Sequence, residues 1–199
     1  MIHGLATRMA SVFVTYGESS ADDQDIYVYA CELLVSTIIN ISLGLLISFL
    51  MGRPMEGIIF ILGFVLIRRY AGGYHASTYA RCILTFAVVL ACGMLILSFV
   101  SALQAEAILM VVAGASCIGI SLLAPVEHEN KILNAESRKL QKEKSIWIVL
   151  VLFVFCLVDF FVLGTGIWQG LALSIVVVFG GMVCGYIVFS QIIKSKSVA

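Results

Sequence analysis

The chain has 199 residues, of which 61% are hydrophobic and only 12% charged, and its formal net charge is zero. Soluble domains are nearer half apolar and a quarter charged, and with a mean hydropathy of +1.09 this chain has more Leu, Ile, Val and Phe than a soluble fold of its size can bury. The composition excludes a soluble domain, and no nucleic-acid partner is expected.

In chain order, Ile2, Leu5, Met9, Val12, Phe13 and Tyr16 recur at helical spacing. The pattern fits an amphipathic helix over 1–20 that either lies along the inner membrane surface or caps a bundle. It lacks a compact basic region before an apolar core, so a cleaved signal peptide is not expected. Six apolar runs follow, at 26–50, 55–67, 83–101, 107–125, 146–164 and 167–190. A membrane-spanning helix needs about 20 residues. The second run is too short unless it continues through Arg68, Arg69 and Tyr70 or enters at a tilt. Glu32 sits near the start of the first run, and Asp159 is the one ionisable residue well inside a span. The expected fold is all-α and polytopic: one domain over 1–199, with about six membrane-embedded helices in a bundle over 26–190.

Six cysteines are present, none in a C-x-x-C pair. Their spacing suggests neither a disulfide framework nor a metal site, and no cofactor is implied. Cys92, Cys117, Cys156 and Cys184 read as small apolar packing residues. Gly166, Gly170, Gly181 and Gly185 form two small-x-x-x-small pairs, which either pack the last span within the bundle or make a homodimer.

Charge placement sets the expected orientation. The stretches 68–82 and 126–145 carry eight of the 12 Lys and Arg residues, and the terminal regions add Arg8, Lys194 and Lys196. The connections at 51–55, 102–106 and 164–168 hold only Arg53. Basic loops stay in the cytoplasm, so both termini and both basic stretches are expected on the cytoplasmic side of the cell membrane.

Within the first basic stretch, RRYAGGYHASTYARC (68–82), His75 and Cys82 lie seven residues apart. A cysteine nucleophile needs a base within hydrogen-bond reach. On one straight helix, residues seven apart are separated by about 10.5 Å along the axis, so a catalytic pair demands a break in the chain between them. Gly72 and Gly73 permit a bend. Ser77 or Thr78 can cap a helix starting near Tyr79, which puts Cys82 in its first turn, where the helix end and Arg81 favour negative charge. The plainer alternative is two unremarkable residues at a membrane edge. Arg68 and Arg69 read either as lipid anchors or as a site for an acidic substrate group. His3 and His128 have no motif behind them and are expected to be solvated.

The Arg-Arg-x-x-Gly-Gly-x-His run with Cys seven residues on resembles the signature of the accessory gene regulator B family, bacterial membrane peptidases of peptide quorum sensing. PVEHENKILNAESRKLQKEKS (125–145) resembles that family's basic loop. The resemblance implies a cysteine endopeptidase with Cys82 as nucleophile and His75 as general base. Its substrate would be an AgrD-type precursor peptide with an acidic C-terminal tail. Cleavage would leave a thioester on Cys82, and an internal nucleophile of the precursor would close a thiolactone ring. Arg68, Arg69, Lys131, Arg138 and Lys139 are the candidates for holding the acidic tail, with Gly72 and Gly73 shaping the site. Ser77, Glu127, Asn130 and Asp159 are guesses for a third residue, Asp159 being discounted as too far toward the outer side. The competing readings are a small peptide exporter and a non-enzymatic membrane scaffold.

Overall fold

Apolar residues surround the long segments on nearly every face, as expected of helices that meet lipid or one another rather than water. A computed structural model of the chain describes residues 2–16, 24–73, 78–126 and 134–198. His75, Ser77, Glu127, His128, Asn130 and Lys131 lie outside the described residues, as does the end of the expected N-terminal helix. Seven helices are described: α1 (Ile2–Tyr16), α2 (Gln24–Leu50), α3 (Pro54–Ala71), α4 (Tyr79–Ala102), α5 (Glu106–Leu123), α6 (Ala135–Val158), which widens into a π turn over Asp159–Leu163, and α7 (Ile167–Val198). No strand occurs among the described residues.

Five of these, α2, α4, α5, α6 with its π turn, and α7, are long and apolar enough to cross a membrane. The protein is a multi-pass, all-helical membrane protein. The sixth expected span is α3. It does continue through Arg68, Arg69 and Tyr70, which gives 18 residues and a length of about 27 Å. Its charges sit at its two ends: Glu56 in the first turn, Arg68 and Arg69 in the last.

α3 is the packing centre. Its buried residues Phe60, Ile61, Ile67 and Ala71 join one core with Leu90, Met94 and Leu97 of α4, Ile120 of α5, Val149 of α6, and Ile175 and Met182 of α7. Small residues set the spacing, as in lipid, where close backbone approach replaces the hydrophobic drive. A Cβ on Gly170 of α7 would strike the Glu56 carbonyl at the start of α3, and one on Gly63 of α3 would strike Ser174 of α7. Gly57 meets Ser48 of α2 in the same way. Gly170 is therefore used inside the bundle, and the same holds for Gly181, whose neighbour is Arg68.

Two features differ from the sequence reading. First, the basic stretch 126–145 is not a loop throughout. α6 begins at Ala135, where Asn134 caps it by accepting a 2.9 Å bond from the Ser137 amide, so Arg138, Lys139, Lys142 and Lys144 stand on helix. Glu, Lys, Arg and Gln are good helix formers, and a cap followed by such a run starts a helix well before the apolar part. Second, Asp159 is not a lone charge inside a span. It lies where α6 ends, and its carboxylate accepts bonds from Thr165 N (3.0 Å), Thr165 Oγ1 (2.7 Å) and Trp168 N (2.8 Å). It caps α7, a role for which its charge suits the helix start.

The cysteines also divide. Cys117 and Cys156 are core residues, whereas Cys92 and Cys184 face outward. The end of the bundle holding Asp159 also holds a polar cluster. Arg53 donates to Glu56 (3.0 Å), Gln169 (3.1 Å), Ser98 (3.2 Å) and Ser101 (3.2 Å), tying the starts of α3 and α7 to the end of α4.

α1 packs on the start of α2 through Ala6, Ala10 and Met9 against Cys31, Tyr27 and Val28. Leu5 and Val12 of the expected apolar stripe face outward. Ala6 and Ala10 make the buried centre of the docked face. Of the two alternatives read from its periodicity, the helix takes the packed one against α2, with Leu5 and Val12 left outward.

Candidate active site

α3 and α4 are separate helices, the first ending at Ala71 and the second starting at Tyr79. α3 ends at Ala71, and Gly72 leaves it at φ 77°, ψ −150°, with Gly73 at φ 130°. These are conformations that residues with a Cβ rarely adopt. Thr78 is extended (φ −140°, ψ 150°), and its side chain accepts a 3.3 Å bond from Arg81 N, capping α4. α4 therefore starts at Tyr79 after the extended Thr78, and Cys82 stands half-buried in its first turn. Its own amide is committed to Thr78 O at 3.0 Å.

A second segment holds this turn in place. Val126 N donates to Ala71 O at 2.9 Å, and Gly72 and Val126 form a short parallel bridge. The two basic stretches that the charge count put on one side of the membrane thus meet at one end of the bundle. A Cβ on Gly72 would strike the Val126 carbonyl oxygen, so glycine is required here for space as well as for backbone angle.

The two arginines part company. Adjacent helical residues point about 100° apart, and here that separates their surroundings. Arg68 turns inward: its guanidinium lies 5.5 Å from the Phe64 ring centroid, beside Gly73 and Gly181, and within electrostatic range of Cys82. A Cβ on Gly73 would come within 3.3 Å of Arg68 Nη1 and one on Gly181 within 3.7 Å, so the two glycines make room for the charge. Arg69 turns outward over the Tyr70 ring, at 5.7 Å. Arg138 and Lys139 are exposed on the first turn of α6.

One connection was not anticipated. The Tyr79 hydroxyl, on the first residue of the Cys82 helix, donates to Glu32 Oε2 at 3.0 Å, and His3 Nδ1 of α1 pairs with Glu32 Oε1 at 2.7 Å. His3 is exposed but partnered, and Glu32, 14% exposed, links α1, α2 and the start of α4. Its only signal in the sequence was a carboxylate near the start of an otherwise apolar run.

The family described as accessory gene regulator B matches residues 6–192. A protein named AgrB-like from Clostridium perfringens (strain SM101 / Type A) is 25% identical over 162 residues, covering 77% of this chain and 76% of its own. A second, named AgrB-like protein 2, from Clostridium perfringens (strain 13 / Type A), is 25% identical over 160 residues, covering 78% and 75%. No solved structure matches.

Proposed function

Because the chain belongs to the accessory gene regulator B family, whose members take part in accessory gene regulator peptide processing, we propose that it is a membrane cysteine endopeptidase that cuts and cyclises an AgrD-type precursor. The observation that carries the proposal is the position of Cys82. It stands half-buried in the first turn of a helix capped by Thr78, seven residues after His75 in the sequence.

In the proposed reaction, the Cys82 thiolate attacks the carbonyl carbon of the peptide bond preceding the acidic tail. His75 takes the thiol proton and returns it to the departing amine, so the tail leaves as a neutral amine and the precursor is held as a thioester. A thiol within the precursor then attacks that thioester, forming the ring and releasing Cys82. The thioester conserves the energy of the broken bond, which hydrolysis would dissipate.

The oxyanion needs amide donors near Cys82. The amides of Gly72, Arg81 and Cys82 are already bonded to Arg68 O, Thr78 Oγ1 and Thr78 O, which leaves those of Tyr79, Ala80 and Gly73 as the candidates. Arg68 is the cation best placed to receive an acidic group close to Cys82. Lys131, Arg138 and Lys139 attract the rest of the tail by charge, an effect that weakens as salt rises. Both basic stretches and both termini face the cytoplasm on this reading, where a precursor is made.

Co-expression of an AgrD-type precursor with wild-type, Cys82→Ala and His75→Ala proteins tests this, with mass spectrometry of the tail, the cyclic product and any Cys82 adduct. The wild type should release both products and carry a thioester adduct. Tail release by both variants would overturn the mechanism.

A further inference from the structure

Arg69 does not share the surroundings of Arg68. It lines a recess of about 250 Å³ with Tyr70, Ser137, Leu140, Gln141 and Lys144. Positions 137, 140, 141 and 144 form one stripe along the start of α6, at the i, i+3, i+4, i+7 spacing of a single helix face, and they look onto the last turn of α3. Lys144 Nζ lies 5.6 Å from the Tyr70 ring centroid, and Arg69 lies 5.7 Å from the same centroid. Two cations are thus gathered on one aromatic ring, with a hydroxyl and an amide beside them, and there is no carboxylate among the described lining residues. Such a lining suits an anion.

Its depth says which anion. Trp147, one turn past Lys144 on α6, is 70% exposed, and Leu140 on the rim is 50% exposed. An outward Trp with Tyr and Lys one turn below is the arrangement found where a membrane helix passes through the headgroup layer. From Ile146 onward α6 is apolar as far as Asp159. The recess therefore opens sideways at the boundary between headgroups and acyl chains, and Arg69 is directed away from the Arg68 side that faces Cys82.

We propose that Arg69, Tyr70, Ser137, Gln141 and Lys144 form a binding site for the phosphate of an anionic phospholipid headgroup, separate from the site for the peptide. The lipid phosphate takes Arg69 and Lys144, Ser137 and Gln141 donate to its free oxygens or to the glycerol hydroxyls, and the acyl chains run up past Leu140 and Trp147. The lipid thereby bridges the end of α3 and the start of α6, the two elements that flank the Gly72–Val126 contact.

The test is native mass spectrometry of the full chain in detergent, titrated with phosphatidylglycerol or phosphatidylcholine. Parallel arms add glycerol phosphate or a short peptide rich in glutamate. The wild type should hold one phosphatidylglycerol under conditions that strip phosphatidylcholine. At roughly fivefold per cation, Arg69→Gln with Lys144→Gln should weaken it by about 25-fold, whereas Lys142→Gln on the same helix should bind like the wild type. Phosphatidylglycerol should also raise the melting temperature of the wild type and not of the double variant, a comparison made within each protein and so independent of any loss of folding. Equal retention of the two lipids, or undiminished binding by the double variant, would overturn the proposal. So would equal binding of glycerol phosphate, and displacement of the lipid by the acidic peptide would reassign the recess to the substrate tail.

Discussion

Replacing Gly72 by Ala tests whether the turn after α3 must be pinned for Cys82 to work. Gly72 sits at φ 77°, ψ −150°, a region that costs a residue with a Cβ about 1–3 kcal/mol. The added methyl also strikes the Val126 carbonyl oxygen, a backbone atom that cannot rotate away. One of the two segments must move, and the bond from Val126 N to Ala71 O at 2.9 Å is the one lost, worth about 1 kcal/mol. The perturbation sums to roughly 2–4 kcal/mol. It falls on one crossing rather than on the whole bundle, so helicity should be kept. If cleavage needs the pinned turn, a cost of about 2 kcal/mol already lowers the competent fraction about 30-fold. Gly52→Ala is the control: Gly52 has φ 70° at the other end of the bundle, with nothing within 4 Å of a Cβ. It carries only the backbone cost, about 1–2 kcal/mol, and should cleave at the wild-type rate. The assay is the rate of tail release from a tagged precursor in reconstituted vesicles, beside the melting temperature of each protein. Gly72→Ala cleaving within threefold of wild type, or both variants slowing alike, would refute the argument.

Other outcomes follow from single contacts. Thr78→Ala removes the cap of α4 and should cost about 1 kcal/mol of local stability. Slower cleavage with restoration by Thr78→Ser is expected, and hydrogen exchange of the first turn of α4 reads the fraying directly. Tyr79→Phe removes the bond to Glu32, worth about 1 kcal/mol. It should loosen α4's start from α2 and increase exchange there while leaving the other end of the bundle protected. Asp159→Ala strands the Thr165 and Trp168 amides, at about 1–3 kcal/mol each where buried. It should lower the melting temperature, while the tail released per folded molecule stays at the wild-type level.

The fold was legible where the sequence carries a physical signal that acts alone. Apolar runs have to be helices in lipid, because no water satisfies their backbone, and the run 55–67 does extend through Arg68–Tyr70, though α3, with three charges, is not among the five helices long and apolar enough to cross. A cap at Ser77 or Thr78 and a Cys82 helix starting near Tyr79 followed from local hydrogen-bonding chemistry, and Thr78 is the residue that caps it. What stayed hidden depends on partners distant in sequence. Asp159 looked like a charge inside a span because hydropathy cannot see that the chain turns there and offers three donors to one carboxylate. Glu32 was noticed but unassigned, since its partners lie 29 residues before it and 47 after it. Arg68 and Arg69 were grouped because they are adjacent, and only the packing of α7 and α6 on either side of α3 gives them different neighbours.

That separation also explains why the crossing at Gly72 and Val126 matters more than any one charge. α3 delivers Arg68 toward Gly73 and Gly181 and Arg69 toward the recess beside α6 from the same last turn. A rotation of that turn by even half the angle between neighbouring residues, about 50°, would withdraw both from their surroundings together. The Gly72–Val126 bridge and the Gly72 N to Arg68 O bond at 3.1 Å fix the rotation from below, and Gly73 and Gly181 leave room for the guanidinium beside them. The pair of arginines therefore acts through a single backbone constraint. Exchanging either for lysine keeps the charge but loses the planar fork that fills a fixed slot, so Arg68→Lys should slow cleavage while Arg69→Lys should mainly weaken retention of the anionic lipid. Loss of both properties in each single variant would show that the two sites are one.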